Sequence, residues 1–132
     1  PYMKKQGFGR IINVASTAGL KGYAYTAAYT AAKHGVIGMT RALALELAGS
    51  GVTANAVCPG FTDTDIVADS VKNIVAKTGR SADEALKELT KHNPEGRLIR
   101  PEEVADTVAW LIGEQAGSIN GQAIAVAGGE IM

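Results

Sequence analysis

"GVTANAVCPG", residues 51–60, decides how this chain folds. It is a short run of β-branched, small and apolar residues between Gly51 and the turn pair Pro59-Gly60, which predicts a buried strand. Strands that are apolar along their whole length belong to parallel sheets covered by helices on both faces. Working back from it, Tyr25 to Ala48 is rich in Ala and Leu, has no Pro and ends at Gly49, so it predicts a long helix. Before that, "GRIINVAS" (9–16) predicts a second buried strand, bounded by Gly9 and the small residues after Ser16.

Working forward, Val67, Val71, Ile74 and Val75 follow helical spacing and predict a short amphipathic helix ending before Gly79. Ser81 and Glu84 form a capping-box pair ahead of a helix running to about His92. Pro101 with Glu102 and Glu103 opens another helix, whose apolar stripe is Val104, Val108, Leu111 and Ile112. "INGQAIAVAGG" (119–129) supplies a turn and a last strand, Gln122 to Ala127. Strand, helix, strand, helices, strand implies parallel pairing through right-handed crossovers, an α/β doubly wound pattern. Three strands are few for such a sheet. A strand followed by Gly-x-Gly-x-x-Gly, with an acidic residue about 20 positions on, opens nucleotide-binding sheets and does not occur in these residues.

Length and charge narrow the function. One domain is expected from 132 residues, and 46% hydrophobic residues can build a packed core. Thirteen acidic residues balance thirteen basic ones without a block of like charge, so neither nucleic acid nor an anionic membrane is an expected partner. With no long apolar run and no leader, a soluble, cytoplasmic protein is expected. The single Cys58 reads as a buried strand residue. The two histidines and one cysteine lack metal-site spacing, and no Gly-x-Ser-x-Gly elbow occurs.

The chemistry centres on "YTAAK", where Tyr29 and Lys33 share one helix face. Chance alone gives about 0.24 such pairs from four Tyr and eight Lys, and ordinary packing explains a lone pair as well. Position adds weight. Ser16 ends one strand and Pro59-Gly60 ends another at the same carboxyl edge, where open α/β sheets place ligands. Tyr29 and Lys33 begin the connecting helix and lie near that edge. Tyr23 and Tyr25 are rivals, but neither has a lysine four residues on.

Taken together, "NVASTAG", "YTAAK", "NAVCPGFTDTD", "GRLIRPEEVADTVAWLI" and "INGQAIAVAGG" closely resemble the short-chain dehydrogenase/reductase family. Five motifs in order make the resemblance specific. It covers residues 1–132 as a single partial domain, the C-terminal part of that family's Rossmann-type fold. It implies an oxidoreductase that interconverts a carbonyl and a secondary alcohol with NAD or NADP. Tyr29 would be the general acid/base, Lys33 would favour its phenolate and hold the nicotinamide ribose, and Ser16 would hold the substrate oxygen. Pro59, Gly60, Thr62 and Thr64 would contact the nicotinamide end of the cofactor. Residues 65–97 would form the segment covering a small-molecule substrate, with a look closest to reductases of 3-oxoacyl thioesters, 3-hydroxybutyrate or polyketides. Gly35 and Gly38, each costing the helix about 1 kcal/mol, would mark a close contact with a neighbouring subunit, implying a homodimer or homotetramer.

The family's Gly-rich turn, its cofactor-selecting residue and its upstream catalytic asparagine have no counterpart in these residues. The resemblance therefore implies the catalytic portion of a truncated or incompletely represented reductase, expected to be inactive alone. The alternative is a catalytically silent fragment that serves as an oligomerisation or binding module.

Overall fold

A computed structural model describes residues 1–132 as α1 (Tyr2–Gln6), β1 (Gly9–Val14), α2 (Ala27–Leu47), β2 (Val52–Pro59), α3 (Asp65–Thr78), α4 (Ala82–Thr90), α5 (Pro101–Ile112) and β3 (Ala123–Val126). The three strands form one parallel sheet in the order β1-β2-β3. β1 pairs with β2 from Gly9↔Val52 to Val14↔Val57, and β2 pairs with β3 from Ala56↔Ala123 to Pro59↔Val126. The central β2 is buried at each residue from Val52 to Cys58, as its unbroken apolar run requires.

Alternation along β2 assigns its two faces. Ala56 and Cys58 pack with Ala15 and with Ile37 of α2. Val57 packs on the other face with Leu111 of α5 and with Ala116. Helices thus cover both faces of the sheet, the three-layer arrangement of doubly wound folds. Asn55, buried within β2, is satisfied: it donates to Ile119 O at 2.8 Å and accepts from Gln122 N at 3.0 Å. These bonds fix the turn that leads into β3. No helix is long and apolar enough to cross a membrane.

Element ends differ from the sequence expectations by a few residues, each for a local reason. β1 stops at Val14, two residues before Ser16, because the chain tightens into a 3-10 turn over Thr17–Gly19. The long helix begins at Ala27, since Tyr25 takes a left-handed φ of 65° that a helix cannot contain. α4 ends at Thr90 and not at His92. Its Ser81–Glu84 capping box forms in full, with Glu84 N donating to Ser81 Oγ at 3.2 Å and Ser81 N donating to Glu84 Oε2 at 2.8 Å. In α5 the stripe holds at Val104, Val108 and Leu111, but Ile112, the last residue of the helix, is exposed. The short α1, closed by Gly7 at φ 67°, had no periodic signal in its five residues.

Candidate active site

Parallel strands put the carboxyl ends of β1, β2 and β3 on one edge. Three connections meet there: 15–26 after β1, 60–64 after β2, and the tail after β3. The first two, with α3, the end of α4 and His92, line a cavity of about 740 Å³. Ser16, Tyr29, Gly60, Thr62 and Thr64 all line it, so five of the seven residues singled out from the sequence share one space.

Ser16 caps the 3-10 turn, its Oγ accepting from Ala18 N at 3.1 Å. That bond uses a lone pair and leaves the hydroxyl proton free to donate to a ligand oxygen. A turn role and a substrate role are therefore compatible in one side chain. Tyr29 stands in the first turn of α2 and is 52% exposed, open to the cavity. Lys33, one helical turn on, holds its Nζ 5.6 Å from the Tyr29 ring centroid and donates to Val14 O at 3.2 Å. One bond leaves two ammonium protons for other acceptors.

Lys33 and Pro59 do not line the cavity. Lys33 stands beside Tyr29 at the end of β1, and Pro59 is the last residue of β2, paired with Val126. Gly60 continues that pairing, its N–H donating to Val126 O at 3.0 Å. A Cβ at Gly60 would come within 3.2 Å of both the Ala127 Cβ and Glu130 Oε2, so the chain passes too closely there for a side chain. Thr62 Oγ1 donates to Gly60 O at 3.0 Å, and Thr64 Oγ1 to Thr62 O at 3.3 Å. Thr64 occupies the N-cap position of α3 without a side-chain capping bond. Cys58 is fully buried beneath this edge, and burial pushes its thiol pKa up, which suits an unreactive core residue.

Several contacts escaped the sequence reading. Gly19 lets the turn after β1 abut α2, because a Cβ there would lie 2.8 Å from Lys33 O. Tyr23, Phe61 and His92 form an aromatic group on the cavity wall. Phe61 and His92 stack at 6.1 Å, and Tyr23 meets each of them edge-on. Tyr23 is hydrogen-bonded to Glu130, and Lys21 Nζ lies 2.9 Å from the same carboxylate. Burial, reinforced by the Glu130 bond, pushes the Tyr23 phenol pKa well up, so it stays protonated. That removes Tyr23 as a rival general base. No local pattern could have announced these contacts, since Tyr23 and Glu130 are 107 residues apart. His34 faces away, its Nδ1 at 2.9 Å from Thr30 O on its own helix.

Residues 1–130 match a family profile described as enoyl-(acyl carrier protein) reductase, and the chain belongs to the short-chain dehydrogenase/reductase family. It is 46% identical over 127 residues to a "putative ketoacyl reductase" of Streptomyces coelicolor, covering 96% of this chain and 49% of the relative. It is 40% identical over 130 residues to a D-beta-hydroxybutyrate dehydrogenase of Rhizobium meliloti, covering 98% and 50%. Among solved structures it superposes on an F189W actinorhodin polyketide ketoreductase with NADPH. The TM-score is 0.90 at 45% identity, covering 97% of this chain and 49% of that one. A sorbitol-6-phosphate 2-dehydrogenase of Erwinia amylovora gives a TM-score of 0.90 at 29% identity, covering 98% and 52%. The chain spans about half the length of the relatives it matches.

Proposed function

We propose that this chain carries the catalytic half of an NAD- or NADP-dependent reductase acting on 3-oxoacyl or 3-hydroxyacyl compounds. The observation that supports the reading most is the convergence of Ser16, Tyr29, Gly60, Thr62 and Thr64 on one cavity, with Lys33 beside Tyr29. The cofactor is inferred from the relatives, one of which is a ketoreductase with NADPH.

The residues present fit the nicotinamide end of such a cofactor. Lys33 offers free ammonium protons at the sheet edge, and Gly60 keeps the backbone close to the cavity. Thr62 and Thr64 add hydroxyls on the same wall. A nicotinamide, when bound, supplies or accepts the hydride. Tyr29 gives a proton to the substrate oxygen during reduction and takes it back during oxidation. Ser16 donates a hydrogen bond to that oxygen as negative charge develops on it. The Lys33 ammonium stabilises the charge left on the Tyr29 oxygen. The aromatic group of Tyr23, Phe61 and His92 packs against the body of the substrate, and α3 and α4, within residues 65–97, cover it. Subunits pair through the exposed face of α2, where a side chain added at Gly35 or Gly38 would meet nothing in the chain itself.

Isotope transfer tests the reading. This chain, substituted for the matching half of the Streptomyces coelicolor relative, is incubated with a 3-oxoacyl thioester and nicotinamide deuterated at C4. Deuterium found at C3 of the alcohol product is the expected result. A cofactor-bound, folded chimera that transfers none would overturn the proposal.

A further inference from the structure

The Glu130 side chain is 1% exposed although it lies two residues from the end of the chain. A carboxylate taken out of water must find partners. Glu130 finds two, the Lys21 ammonium at 2.9 Å and the Tyr23 hydroxyl. Tyr23 Oη in turn lies 2.6 Å from Thr17 Oγ1. Because a carboxylate only accepts, Tyr23 donates to Glu130 and Thr17 must donate to Tyr23. The relay therefore has one direction, and all of Glu130's partners come from the loop joining β1 to α2. Thr17 is the neighbour of Ser16.

The path of the tail delivers Glu130 to this place. Gly128 has φ 59°, and a Cβ there would sit 2.1 Å from Asn93 Oδ1. Asn93 is itself held, accepting from Glu95 N and donating to Arg97 O, each at 2.8 Å. On the other side, the bare Gly60 makes room for the carboxylate. The tail is thus threaded between two fixed points and ends behind the β1–α2 loop, against Lys21 and Tyr23.

We propose that Glu130 is a positioning residue: by gathering Lys21 and, through Tyr23, Thr17 onto the tail, it holds the β1–α2 loop as the cavity wall beside Ser16. This rests on the reductase reading for its consequence in catalysis, but the anchoring itself does not. Tyr29 and Lys33 are carried by α2 and tied to β1 by the Lys33–Val14 bond, so they keep their place when the wall loosens.

Amide hydrogen exchange of the chain, followed by mass spectrometry over residues 17–26, tests the anchoring. Glu130→Gln and Tyr23→Phe should each speed exchange there by at least about tenfold while β2 stays protected. The double variant should add less than the sum of the two, because both changes weaken the shared Tyr23–Glu130 contact. Tyr23→Phe removes a single oxygen and keeps the test valid if Glu130→Gln fails to fold. Unchanged exchange over 17–26 in a folded variant would overturn the proposal. In the active chimera, Glu130→Gln should raise KM about tenfold and change kcat less than about threefold. A fall in kcat at unchanged KM would overturn the positioning role. An unsubstituted chimera without turnover counts against the reductase reading alone, and the exchange measurement still decides the anchoring.

Discussion

At the scale of single residues, the proposed function rests on Tyr29 and Lys33, whose relation is local and was therefore legible. A spacing of four on one helix needs only the helix to bring the two together, and the ammonium does lie 5.6 Å from the ring centroid. In the chimera with the Streptomyces coelicolor half, Lys33→Ala is expected to weaken cofactor binding and turnover together, because the proposal gives one ammonium both the phenol and the ribose. Fluorescence titration with NADPH beside steady-state kinetics would show it, and an unaltered cofactor affinity would discard the ribose role. Glu130 marks the limit of such reading. Its partners Lys21 and Tyr23 lie more than a hundred residues away in sequence, and "AGGEIM" carries no pattern that separates a buried carboxylate from an exposed tail charge.

At the scale of elements, hydrophobic pattern and capping chemistry carried most of the fold. β2 could be read because every residue from Val52 to Cys58 is buried, and α4 because Ser81 and Glu84 form their capping box. The 3-10 turn after β1 could not be read, because it depends on Gly19 meeting Lys33 O of α2. The start of α5 has a pH signature. Arg97 grips the Glu103 carboxylate with two bonds of 2.8 Å, and Arg100 N adds a third, holding the Glu103 pKa down to about 2. Because the folded value lies below the unfolded value of about 4.3, this contribution to stability is present at neutral pH. It is lost as pH falls from about 4.3 towards 2. Urea denaturation of Glu103→Gln should show lower stability at pH 7 and a smaller drop between about pH 5 and pH 3. Equal pH dependence in both proteins would sink this account.

At the scale of the whole molecule, the sheet order β1-β2-β3 leaves β1 with one neighbour, and α2 presents Gly35 and Gly38 outward. The 132-residue chain on its own is expected to self-associate and to bind NADH or NADPH only weakly, since its residues include no Gly-rich phosphate turn. Light scattering with calorimetry checks both, and a monomer that binds NADH tightly would point to a self-sufficient small fold. The doubly wound class was legible from strand order alone, whereas the cavity was not, because the loops after β1 and β2 must meet α3 and α4 before it exists. The most direct test of the account is Tyr29→Phe in the chimera with the Streptomyces coelicolor half, measuring NADPH affinity and 3-oxoacyl reduction on the same preparation. Removal of one hydroxyl should lower kcat by about a thousandfold, within the range for losing a general acid, with NADPH affinity nearly unchanged. Ordinary turnover by the Tyr29→Phe chimera would contradict the assignment of Tyr29 as the proton donor and, with it, the reading of this site.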